Sequence, residues 1–156
     1  MKKLRIYVDT SVIGGCFDPE FREWSLSLMD DFRSGQFVPV LSGVTAAEIA
    51  AAPSFVRELF AELLSLPAQM LEVTEEALSL AESYEARSVL SARFRSDMLH
   101  VALATIAEAD VLVSWNFRHI VRLDKIRLFS AVNLEQGYKP VSIYSPREVI
   151  TYGKAD

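Results

Sequence analysis

Five short runs of β-branched, aromatic and other apolar residues, each followed by a longer stretch of helical spacing, constrain the fold of this chain more than any other feature. The runs are Leu4–Val8, Phe37–Leu41, Met70–Val73, Val111–Ser114 and Val141–Tyr144. They are too short for helices and are bounded by turn-forming residues, so they read as strands. After the first, Gly14-Gly15 is expected to break the chain. Trp24, Leu28, Met29 and Phe32 then fall at helical spacing, with Gly35 as the stop. Pro39 suggests an irregular or edge position for the second strand. Thr45 opens a helix that Pro53 interrupts, and another runs from Ser54 to Leu64. Thr74-Glu75-Glu76 caps a helix reaching about Val89, Ser96 precedes one over Asp97–Ala107, and helical pattern resumes from Phe117 to about Phe129. Ser145-Pro146-Arg147-Glu148 starts a last short helix, with Ser at the N-cap, Pro at the first helical position and Glu at the third. Strands alternating with helices predict an α/β fold: three layers, α/β/α, around a mostly parallel five-stranded sheet. Such sheets bind ligands just beyond the carboxyl ends of the strands, where strand order reverses.

The length of 156 residues suits one domain over 1–150, with a tail over 151–156 that is expected to fray. An apolar share of 51% supports one sizeable core, and no apolar run approaches the roughly 20 residues of a membrane helix. The basic start, Met1-Lys2-Lys3-Leu4-Arg5, leads into an apolar run that Asp9 breaks, so a signal peptide is not expected. With Cys16 the single cysteine, the chain reads as cytoplasmic, without a disulfide framework or a Cys-rich zinc site. The net charge of −5 argues mildly against nucleic-acid binding, but its distribution is uneven. Glu58, Glu62, Glu72, Glu75, Glu76, Glu82 and Glu85 occupy a stretch without Lys or Arg, whereas Arg93, Arg95, Arg118, Arg122, Lys125 and Arg127 follow later. The pattern suits either an acidic back with a basic face or ordinary solvated helices.

Four polar residues stand where a ligand edge is expected. Asp9 ends the first strand, Asn116 follows the fourth, and Glu48 and Asp97 are placed in the first turns of helices that begin at the same edge. Each also has a structural reading. Asp9 suits an N-cap, Thr45-x-x-Glu48 matches a capping box, Asp97 favours a helix N-terminus, and Asn116 suits a turn. Their joint placement is what points to chemistry. Clustered carboxylates repel one another and recruit a cation, and hard divalent ions such as Mg²⁺ take oxygen ligands and accept substrate phosphate. Such a metal activates water for phosphodiester cleavage without a nucleophilic Ser or Cys.

At these residues the sequence resembles the PIN-domain family, which includes ribonuclease toxins of the VapC type. The pieces that carry the resemblance are Tyr7-Val8-Asp9-Thr10-Ser11, Thr45-Ala46-Ala47-Glu48, Ser96-Asp97-Met98-Leu99-His100-Val101-Ala102-Leu103-Ala104 and Val113-Ser114-Trp115-Asn116-Phe117. They occur in the family's order, and the likeness spans Leu4 to Val149. It implies a parallel five-stranded sheet, dependence on Mg²⁺ or Mn²⁺, and cleavage of RNA. It makes Asp9, Glu48 and Asp97 the metal-holding carboxylates, Ser114 the usual hydroxyl position, and Thr10 and Ser11 supporting groups. Asn116 departs from the family, where Asp is common; the substitution brings no charge and implies one well-held ion, with a second arriving with substrate. The resemblance also places Arg118 and His119 near the site, where His119 either contacts phosphate or is a surface histidine, and it implies a homodimer and a small antitoxin as partners. Arg93, Arg95, Arg118 and Arg122 then flank the acidic pocket as RNA-phosphate contacts. Trp115 and Phe117 suit either base stacking or core packing. His100, one turn after Asp97, suits a satisfied buried histidine; a zinc site is disfavoured for want of a His pair or further Cys.

Two other readings remain. One is a non-catalytic PIN-like RNA-binding or scaffold module, which Asn116 favours. The other is a phosphoryl-transfer or receiver-like domain. A dehalogenase-type phosphatase needs a second Asp two residues after Asp9, where Ser11 stands, and the acidic pair and late Lys of a receiver are missing. No Gly-rich loop ending in Lys-Ser or Lys-Thr appears, which disfavours a nucleoside-triphosphate enzyme.

Overall fold

Leu4–Val8 forms strand β1, in which Ile6, Tyr7 and Val8 have no exposed surface. A strand buried this completely needs partners on both sides. The computed structural model, which describes residues 2–151, supplies β2 (Phe37–Ser42) on one side and β4 (Val111–Val113) on the other. Beyond them lie β3 (Gln69–Leu71) and β5 (Ile143–Tyr144), giving the order β3-β2-β1-β4-β5. Every pairing is parallel, so the sheet is wholly rather than mostly parallel.

The helices are α1 (Thr10–Gly15), α2 (Arg22–Arg33), α3 (Gly43–Ile49), α4 (Ser54–Ser65), α5 (Glu75–Ala86), α6 (Arg95–Ile106), α7 (Leu123–Glu135) and α8 (Pro146–Val149). Alternation along the strands divides the core in two. Tyr7, Val40, Leu112 and Ile143 face Tyr84, Met98, Val101 and Phe129 from α5, α6 and α7. Ile6, Val8, Leu41 and Val113 face Ile13, Leu28, Met29 and Leu63 from α1, α2 and α4. Each large side chain so buried contributes about 1.5–3 kcal/mol. The result is the three-layer α/β/α arrangement.

Several local expectations are corrected. Gly14 and Gly15 do not break the chain; they lie within α1, which starts directly after β1. Pro39 lies in an interior strand, paired with Ile6 of β1. The other flank is tolerant there, because β3 joins only from Val40 onward, so the missing N–H removes no bond to it. Ser42, not Thr45, caps α3, its hydroxyl accepting from the Thr45 amide at 3.5 Å; Glu48 is therefore in the second turn and no capping box forms. The helix expected from Phe117 begins at Leu123 instead, because Asn116 organises a loop first: its backbone oxygen accepts from the amides of Ile120 (3.1 Å) and Val121 (2.9 Å). Gly35 ends α2 as expected, at φ +78°, a left-handed conformation that glycine adopts without strain. The N-terminal boundary of β5 shrinks to Ile143, while the Ser145/Glu148 capping pair of α8 forms as expected. Met1 and most of the expected tail, 152–156, lie outside the described residues. Among those described, no helix is long and apolar enough to cross a membrane.

Candidate active site

The chain adds β2 and β3 on one side of β1, then crosses to add β4 and β5 on the other, so strand order reverses between β1 and β4. Asp9 leaves β1 at this crevice and Ser114 leaves β4 beside it. The Asp9 amide donates to the Val113 carbonyl at 3.1 Å, and the Ser114 hydroxyl donates to Asp9 Oδ2 at 2.7 Å. Ser11 donates to the same oxygen at 2.7 Å. Ser11 in turn accepts from the Trp115 amide at 2.9 Å, and Ser114 from the Asn116 amide at 2.9 Å. Asp9 occupies the N-cap position of α1 but makes no side-chain cap bond, so its carboxylate is committed to the crevice.

Glu48 and Asp97 come from α3 and α6. Glu48 meets a residue that the sequence marks only as a buried histidine. His100 is fully buried, and its Nε2 lies 2.6 Å from Glu48 Oε1 and 3.2 Å from Asp9 Oδ1. A carboxylate only accepts, so Nε2 carries a proton. Nδ1 is 2.7 Å from the Tyr7 hydroxyl, which is 2.7 Å from Ser42 Oγ. Thr10 donates to Glu48 at 2.9 Å. Burial alone would lower the His100 pKa, but the negative charges of Asp9, Glu48 and Asp97 and the Glu48 bond hold it above the ordinary histidine value. Glu48 shows the reciprocal effect: partial burial raises it, yet His100 and Thr10 keep it below the usual carboxylate value. Asp97 is pushed up, by burial first and by the charge of Asp9 second, with His119 and His100 opposing. Its Oδ2 lies 3.1 Å from His119 Nδ1, and the His119 ring packs on Phe94 with centroids 3.9 Å apart. Tyr7, Ser42 and His100 are thus the site residues that local spacing did not single out; the position of His100 one turn after Asp97 was the available signal.

Asn116 behaves as a turn residue: its side-chain oxygen accepts from the amides of Arg118 (3.2 Å) and His119 (2.9 Å). Arg93 and Arg95 are exposed, on the 3-10 turn before α6 and at its first residue, and Arg118 and Arg122 are exposed on the loop after β4. Arg95 also pairs with Glu82 at 3.9 Å, and Arg122 with Asp124 at 2.8 Å.

The oxygen chemistry of Asp9, Glu48 and Asp97 suits a hard divalent cation, and the charge of Asp9, which adds to burial in pushing Asp97 up, is a repulsion that such an ion relieves. Among the described residues no three carboxylate or imidazole groups already form a coordinating set, since Glu48 and Asp9 both engage His100.

No protein-family model matches the sequence, and no curated protein matches it. Solved structures do match in fold. VapBC2 from Rickettsia felis, bound to a promoter DNA fragment, aligns with a TM-score of 0.61 at 10% identity, over 91% of this chain and 98% of that one. FitAcB from Neisseria gonorrhoeae aligns at 0.57 and 17% identity, over 92% and 99%. FitAB bound to the IR36 DNA fragment aligns at 0.57 and 15%, over 94% and 99%. With the parallel sheet, the crossover after β3 and the polar crevice between β1 and β4, these likenesses show that the chain has a PIN-domain fold, the one it shares with the VapBC2 and Fit structures.

Proposed function

We propose that this chain is a divalent-metal-dependent endoribonuclease, the toxin of a toxin–antitoxin pair. The observation that carries the reading is the gathering of Asp9, Glu48 and Asp97, from three separate elements, at the switch point of the sheet, where burial first and the charge of Asp9 second weaken the acidity of Asp97. In this reading Asp9, Glu48 and Asp97 hold Mg²⁺ or Mn²⁺. The bound ion supplies a more acidic water and stabilises negative charge at the phosphodiester. Ser11 and Ser114 fix the Asp9 carboxylate, and Thr10 with His100 fixes Glu48. Asn116 adds no charge and holds its loop, which favours one tightly held ion. Arg93, Arg95, Arg118 and Arg122 guide the RNA backbone, and His119 orients Asp97. The fold shared with VapBC2 and the Fit proteins supports an antitoxin as partner; a homodimer remains part of the proposal.

The engagement of Glu48 by His100, and of the Asn116 oxygen by its own loop, favours a second reading, an RNA-binding module without catalysis. A labelled mixed-sequence single-stranded RNA, incubated with Mg²⁺, Mn²⁺ or a chelator, separates the two. The ribonuclease reading expects metal-dependent cleavage that falls by more than about 100-fold in both Asp9→Asn and Asp97→Asn. Cleavage that survives the chelator or both substitutions overturns it. RNA binding with neither cleavage nor Mn²⁺ uptake in a calorimetric titration moves the second reading to first place.

A further inference from the structure

Next to the acidic edge lies a cavity of about 400 Å³ that the roles above leave unused. Phe21 and Trp24 line it from the start of α2, Trp115 and Phe117 from the loop after β4, and Arg147 and Glu148 from α8. Its rings form a fixed platform. Phe21 lies nearly parallel to Trp115, with centroids 4.3 Å apart and planes 18° apart, and Trp24 meets the same indole at 6.1 Å. The Trp115 N–H donates to Ser25 Oγ at 2.8 Å, and Ser25 donates to the Val12 carbonyl at 2.8 Å. Gly15 admits the indole: a Cβ there would stand 2.7 Å from its nitrogen. Phe117 differs from its neighbours. It packs against Trp115 in a T-shaped contact at 6.1 Å, and half of its surface, 50%, is open to solvent.

The cavity and the carboxylates are one continuous structure. The Trp115 amide reaches Asp9 through a single side chain, Ser11, over two hydrogen bonds of 2.9 and 2.7 Å. In the ribonuclease reading a nucleotide whose phosphate is at Asp9 carries its base one sugar away, and this cavity is the aromatic-lined space that the Ser11 link joins to Asp9. The guanidinium of Arg147 lies 5.2 Å above the Trp24 ring, and with Glu20 and Glu148 also lining the cavity its polar rim is of mixed charge.

We propose that this cavity is a nucleobase subsite, receiving the base of a nucleotide adjacent to the scissile phosphodiester and stacking it on Phe117; the inference rests on the ribonuclease reading for the placement of the phosphate. Stacking on an aromatic face is tolerant of sequence, because every base presents a π-surface. The site therefore sets where the strand lies more than which base is read.

Both tryptophans of the chain, Trp24 and Trp115, line the cavity, so intrinsic fluorescence reports on it. The whole chain is titrated, with chelator present, with a short single-stranded oligoribonucleotide and with an abasic oligomer of equal charge. The proposal expects quenching by the first and little by the second. It expects Phe117→Ala and Phe117→Leu to weaken RNA binding by about 5- to 150-fold, and Phe117→Tyr to restore it. Because Phe117 is half exposed, these variants should keep the wild-type circular dichroism. Equal quenching by the abasic oligomer, or wild-type affinity in Phe117→Leu, overturns the subsite and leaves the cavity to an apolar protein side chain. The two proposals fail separately. Base-dependent quenching without RNA cleavage keeps the subsite and removes the nuclease; cleavage with base-independent binding does the reverse.

Discussion

His100 joins three elements through one ring, with Tyr7 of β1 on one nitrogen and Glu48 of α3 and Asp9 on the other. In metal-free protein this makes stability depend on pH in a direction that can be derived. The folded state raises the pKa of His100, so its contribution is complete below the unfolded value of about 6.5 and is lost as pH rises through the raised folded value. The folded state lowers Glu48, so that contribution is complete above about 4.3 and is lost as pH falls through the lowered value. The melting temperature measured with chelator should therefore fall on the alkaline side, and His100→Gln should flatten that fall. An unchanged alkaline limb in the variant would remove His100 from this role. Of the site, Asp9 was legible because it directly follows a strand at the predicted edge, and Ser114 only through the family resemblance, since the sequence placed it inside the fourth strand. The pairing of His100 with Glu48 was not, because its partners arrive from β1 and α3 and no local spacing encodes them.

The boundaries of the elements show the same division between local and tertiary information. Strands β1, β2 and β4 were legible from β-branched runs, and α8 from its capping residues. Helix α1 was not, since Gly14-Gly15 reads as a break until the indole of Trp115 is seen lying against Gly15. The start of α7 was displaced because the side chain of Asn116 satisfies the amides of Arg118 and His119, an alternative to helix that composition does not reveal. Pro39 looked like an edge residue because the shortness of β3 is invisible in the sequence around β2. Gly15→Ala tests the contact between α1 and the loop after β4. The added methyl meets Ser25 Oγ and Trp115 Nε1, both at 2.7 Å, and the overpacking should cost about 1–3 kcal/mol. At about 2–4 °C per kcal/mol for a domain of this size, thermal denaturation reads the loss directly. A wild-type melting temperature would mean that the indole yields without cost.

At the scale of the whole molecule, the proposed ribonuclease, a chain of net charge −5, has to meet a polyanion through a local exception to its own charge. If Arg93, Arg95, Arg118 and Arg122 each neutralise one phosphate, the slope of log affinity against log salt for single-stranded RNA should be about −3, and Arg118→Gln should reduce its size by about 0.7. Fluorescence anisotropy with chelator present measures both; a slope near zero would place the arginines away from the strand. The bond between Ser114 and Asp9 has a further consequence. It closes across 105 positions of sequence, and β1 lacks its second neighbour until β4 exists. Chains are synthesised from the N-terminus, so Asp9, Glu48 and Asp97 all leave the ribosome before the strand that completes their crevice. An interrupted translation product ending before Val111 carries all three acids and no edge to gather them. If the chain is the ribonuclease proposed above, the cell that makes it is exposed to that chemistry only once a chain is nearly finished.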